Sequence, residues 1–75
     1  MARRDRKFPA LVKSIRVQLD ISQEDLARAL GVSFATVNRW ENGQAMPSRL
    51  ARAQLNAFCG RMTEQGKLRL PDKGA

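Results

Sequence analysis

The 75-residue sequence contains no histidine and no tyrosine, and only one cysteine, one tryptophan and three phenylalanines. Each shortage closes off a class of protein. Without His, and with a single Cys, there is no usual ligand set for zinc, and no internal disulfide can form. Cys59 therefore reads as a small buried hydrophobe, which fits a reducing, cytoplasmic setting. No apolar run approaches the roughly 18 residues of a membrane-spanning helix, and the first residues lack the apolar block of a secretory signal. Paired carboxylates at useful spacing, a phosphate-cradling glycine loop and a metal-ligand cluster are all missing, so no enzyme, cofactor or metal is expected. Scarce aromatics also argue against a stacking platform for single-stranded RNA.

Positive charge is what the chain has in excess. Fourteen Lys and Arg face seven Asp and Glu, giving a net charge of +7 and a pI near 11.2. Such a balance favours a polyanion as partner, because each neutralised phosphate releases counterions. A membrane surface would instead require bulky apolar residues opposite a basic helix face, and no stretch shows that pattern cleanly. The length suits one small domain with a mostly aliphatic core.

Punctuation along the chain predicts four helices. Residues 1–8 form a basic arm, with Arg3, Arg4, Arg6 and Lys7 against Asp5 and too little apolar surface to offset ordering entropy. Phe8-Pro9 marks a helix start, and Leu11, Val12, Ile15 and Leu19 form one face running to about Asp20. Arg16 sits awkwardly at the edge of that stripe. Ser22 with Asp25 makes a capping-box pattern for a second helix, whose inner face is Leu26, Ala27 and Leu30. Gly31 suits a left-handed stop, and Val32 can plug the corner. Ser33 caps a third helix with Val37 and Trp40 as its core pair, and Asn42-Gly43, both tolerant of positive φ, end it. Pro47-Ser48 opens a fourth helix with Ala51, Leu55, Phe58 and Met62 on one face, supported by Leu50 and Cys59. A mid-helix Gly costs about 1 kcal/mol against Ala, so this helix is expected to run through Gly60 toward Gly66. Residues 66–75 read as a frayed tail, or as one whose Leu68 and Leu70 pack on a partner subunit. The expectation is an all-α, compact four-helix domain over residues 9–65, with room for a short extra turn.

The second and third helices, joined by a short turn containing Gly31, describe a helix-turn-helix, whose second helix enters the DNA major groove. Composition supports this over a structural hairpin. Phe34, Ala35, Asn38 and Arg39 make a poor solvated face but a sensible base-reading one: Arg to guanine, Asn to adenine, Ala or Phe to a thymine methyl. Phe34 packing on Val37 or on a neighbouring subunit, and Arg39 reaching a phosphate, are the alternatives. The arm, through Arg3 and Arg4, either follows DNA phosphates and the minor groove or stays solvated.

The runs SQEDLARALGVS and ATVNRWENG, followed by Pro47, resemble the phage repressor and Cro class of helix-turn-helix, the Xre family, from about Val12 to about Leu55. The resemblance implies a lambda-repressor-like fold and assigns roles by position. Gln23 is implied to contact a phosphate and brace the recognition helix. Phe34, Ala35 and Arg39 face base edges, with Asn38 beside them. Asn42 and the loop after it fall where the backbone is gripped, and Ser33 and Thr36 complete the expected phosphate-contacting set. Arg16 and Glu41 match a partly buried salt bridge between the first and third helices. The family's longer members build a dimer contact from a fifth helix that is not evident here, so a homodimer is an open expectation.

The expected function is a sequence-specific, double-stranded DNA-binding transcriptional regulator acting as a repressor. The alternative is an antitoxin, or a targeting module for a DNA-modifying complex, that brings a protein partner to DNA.

Overall fold

A computed structural model describes residues 7–69. Within them the chain forms α1 (Lys7–Leu19), α2 (Gln23–Leu30), α3 (Phe34–Glu41) and α4 (Arg49–Glu64), with no strand among the described residues. The fold is all-α.

Local chemistry sets the boundaries. Ser22, Ser33 and Ser48 each adopt an extended backbone and accept a hydrogen bond from the amide three residues on, at 3.0, 3.0 and 3.1 Å. At α2 the box is reciprocal, because the Asp25 carboxylate accepts from the Ser22 amide at 3.1 Å. The helix ends share one device. At Gly31 (φ +78°) the chain turns left-handed, and the next amide, on Val32, reaches back to the Ala27 carbonyl at 3.0 Å. Gly43 (φ +74°) does the same for α3, with the Gln44 amide bonded to the Arg39 carbonyl at 2.9 Å. Asn42, though tolerant of positive φ, stays at φ −90°, and Gly43 alone makes the left-handed turn. α1 ends alike without glycine: Asp20 takes φ +58°, and the Ile21 amide donates to the Arg16 carbonyl at 3.0 Å. A short polar side chain is among the few that tolerate this conformation.

These stops fold the four helices around one apolar cluster. Val12, Ile15, Leu26, Val37, Trp40 and Leu55 are sealed from solvent, flanked by Ala27, Leu30, Phe58 and Cys59. Burial pushes the Cys59 thiol above its ordinary pKa, which keeps it in the neutral, apolar form.

Three expectations need correction. The arm does not extend to residue 8: α1 begins at Lys7, and Phe8 is a core residue, 5% exposed. Its ring meets Trp40 edge-on at 5.6 Å, while the Arg52 guanidinium lies 5.6 Å from its centroid. An aromatic ring with this much apolar area is drawn into the core, and the helix starts early to place it there. The stretch after α4 is not wholly frayed: Leu68 is 4% exposed in this chain's own core, and Arg69 is strapped to α1 by two bonds to the Gln18 amide, at 2.7 and 2.9 Å. Leu70 and the rest of the expected tail lie outside the described residues. Leu50 does not support the core; it is 73% exposed, on the side of α4 away from Ala51, which packs against the core. As expected, α4 runs through Gly60.

Candidate nucleic-acid interface

The three residues 31–33 join α2 to α3, and this short turn fixes the angle between them. One side of α3 is given over to holding it in place. Val37 and Trp40 enter the core, and Glu41 binds Arg16 of α1 through two bonds, Nε to Oε2 at 2.5 Å and Nη2 to Oε1 at 3.0 Å. A third guanidinium nitrogen donates to the Ile21 carbonyl at 3.2 Å, so Arg16 also clamps the α1–α2 corner. Burial alone would raise the Glu41 carboxyl, but hydrogen bonds from Arg16 and Gln23 and the charges of Arg16 and Lys13 hold it below its ordinary pKa. Arg16, in turn, is raised by its bond to Glu41.

Gln23, at the first residue of α2, is turned inward. Its carbonyl accepts from Asn38 Nδ2 at 3.1 Å, and the side chain helps to hold the Glu41 carboxyl down. Asn38 in turn accepts from Asn42 Nδ2 at 3.1 Å. Gln23 thus presents its oxygen to Asn38, which presents its own oxygen to Asn42. Gln23 thereby ties the start of α2 to α3. Asn38 differs from the expectation of an exposed base reader: it is half-buried, and both its polar atoms are engaged inside the protein. The i, i+4 spacing of Asn38 and Asn42 was the signal for half of this network; the link to Gln23 depends on the tertiary fold.

The remaining face of α3 points outward. Phe34 is 50% exposed, and Ala35 and Arg39 are exposed beside it. Ala35 and Arg39 stand one turn apart and share a face. At the start of the helix the Ser33 and Thr36 hydroxyls pair at 2.8 Å, while Ser33 also caps the Thr36 amide. Asn42 is exposed at the other end, with its carbonyl and one N–H left over from the Asn38 bond. Among the other cations, Arg28 faces Asp25 at 3.4 Å and Arg52 is stacked on Phe8, whose covering role the sequence did not reveal. Arg3 and Arg4 lie outside the described residues. Among the described residues no cluster of three or more His, Cys, Asp or Glu side chains could hold a metal ion, and no helix is long and apolar enough to cross a membrane.

A capped helix pair on a three-residue turn, with the second helix locked on one side and open on the other, defines a DNA-binding helix-turn-helix domain. The helix-turn-helix family profile matches residues 12–51, and the chain belongs to that family, in its Xre-like form. The chain is also similar to the type II methyltransferase M1.ScrFI of Lactococcus lactis subsp. cremoris, at 42% identity over 51 residues. That alignment covers 64% of this chain but 13% of the methyltransferase, so the similarity concerns a small part of a much longer protein. No solved structure matches significantly.

Proposed function

We propose that this chain is a sequence-specific, double-stranded DNA-binding transcriptional regulator that represses by occupying an operator, and that it has no catalytic activity of its own. The supporting observation is the division of labour on α3. Val37, Trp40, Glu41 and Asn38 are tied to the scaffold, which leaves Phe34, Ala35 and Arg39 exposed without a packing role. Laid in the major groove, this face puts a guanidinium at the guanine edge and apolar groups against pyrimidine methyls. Ser33 and Thr36 at one end, and Asn42 at the other, sit where phosphates flank a recognition helix. The basic arm would add phosphate contacts through Arg3 and Arg4. If two copies bind together, their half-sites should lie about 34–36 Å apart or a multiple of that. Selection of duplexes from a random library, with the mass of the complex measured in solution, tests this reading. One enriched motif supports it, and uniform binding to every duplex refutes it.

The methyltransferase similarity favours a second reading, in which the domain brings a DNA-modifying protein to its site. Tight co-purification with such a partner supports that role. An autonomous shift of a short duplex at a promoter, with no partner, supports the regulator.

A further inference from the structure

The reading face of α3 offers an aromatic ring, a methyl group and a guanidinium. Its one amide, Asn38, is half-buried and held by bonds to Gln23 and Asn42 at 3.1 Å, so it is committed to bracing the helix and not to a base. The face offers no carboxylate, since the Glu41 side chain is 4% exposed and gripped by Arg16. In the major groove adenine is matched by an amide, and the cytosine amino group by an acceptor. Phe34, Ala35 and Arg39 supply neither. They can recognise two features: a guanine edge, through Arg39, and a methyl group on C5 of a pyrimidine, through the apolar pair.

We propose that Phe34 and Ala35 form a subsite for a pyrimidine C5-methyl group, thymine or 5-methylcytosine alike, beside a guanine read by Arg39, so that DNA binding responds to cytosine methylation. The inference rests on the DNA-reading function proposed above. The exposure of Phe34 sets it apart: Phe8 and Phe58 are 5% and 7% exposed, whereas Phe34 is 50% exposed directly after the Ser33 cap. The chain's +7 charge complements a duplex as occupant of this face. Arg39 lies four and five residues beyond the apolar pair, a rise of about 6–7.5 Å. That is a separation of one or two base-pair rises of 3.4 Å or so, so the methyl and the guanine are expected at neighbouring positions of one groove. Unmodified cytosine and uracil carry only hydrogen at C5 and leave the ring without its contact. Burying one methyl corresponds to about a fourfold change in affinity.

The test uses the full chain and the best duplex from a random-library selection. Each thymine is replaced in turn by uracil, and each cytosine by 5-methylcytosine. Binding is measured for the wild type, Phe34→Ala and Phe34→Leu. At one or two positions near the Arg39-dependent guanine, thymine to uracil should weaken wild-type binding about fourfold, or 5-methylcytosine should strengthen it by a similar factor. The response should vanish in Phe34→Ala and persist in part in Phe34→Leu, which keeps an apolar tip. A wild-type protein that binds but responds at no position overturns the proposal, as does a response unchanged in Phe34→Ala. A drop in solution mass on Phe34→Ala with the methyl response intact would overturn it by assigning the ring to a subunit contact. Failure to select any duplex would overturn the DNA-reading function itself, an outcome distinct from binding without methyl sensitivity.

Discussion

Arg16 on α1 and Glu41, the last residue of α3, meet head to head, with two parallel hydrogen bonds at 2.5 and 3.0 Å across 25 residues of sequence. The carboxylate side of the pair is nearly sealed, with 4% of the Glu41 side chain exposed against 21% for Arg16. Removing the cation should therefore leave a buried, uncompensated carboxylate. Arg16→Met is expected to cost about 3 kcal/mol, the low end for a buried pair because Arg16 is part-exposed. A domain this small has roughly 4–11 kcal/mol of total stability, so the variant should be marginal. The double variant Arg16→Met/Glu41→Leu should recover much of the loss, since it removes the stranded charge. Urea unfolding midpoints check both.

The same pair predicts acid sensitivity. The folded-state pKa of Glu41 is lowered, so its contribution is fully present above the ordinary glutamate value of about 4.3 and is lost as pH falls through the lower folded value. Asp25, held down chiefly by its bond with the Ser22 backbone, acts in the same direction, though it is exposed and contributes less. Thermal unfolding below pH 5 should show a falling melting temperature, and Glu41→Gln should flatten that slope.

Phe8 and Leu68 mark the two ends of the core. Phe8→Ala should destabilise the domain by about 3–5 kcal/mol and Leu68→Ala by about 2–4 kcal/mol. Phe8→Leu, which keeps an apolar side chain but loses the ring contact with Trp40, should cost less than Phe8→Ala. Denaturant titration ranks the three variants.

Asn38→Ala should act through α3 and not through one base. With its bonds to Gln23 and Asn42 lost, stability should fall by about 1 kcal/mol, and binding should weaken by a similar factor on every sequence. A loss confined to one adenine-containing position would instead make Asn38 a direct reader.

The parts of the fold legible in the sequence were those written in local chemistry. Ser22 with Asp25, Ser33, Ser48 and Gly31 fix helix ends through bonds spanning five residues or fewer, and each does in the structure what its position implied. The spacing of Leu26, Ala27 and Leu30 likewise named a buried face. What was hidden depended on tertiary neighbours. Nothing local shows that Gln23 lies against Asn38, so the helical face alone left Asn38 outward. Phe8 extends the Val12–Ile15 stripe by one turn, but it adjoins the basic arm and Pro9 in the sequence, which masked it. Leu68 lies two residues past Gly66, beyond the periodic run of α4. Leu50 shares the apolar character of its helix, but it is 73% exposed while its neighbour Ala51 packs against the core.

The central claim is that the open face of α3 reads bases, and Arg39 tests it most directly. Binding of wild type and Arg39→Ala should be measured on a selected duplex and on every single-base-pair variant of it, at two or more salt concentrations. A base reader predicts a loss of about 1–3 kcal/mol, with discrimination at one guanine-containing position abolished and the others intact. An equal loss on all duplexes, with a shallower salt dependence, would make Arg39 a phosphate contact and contradict the account.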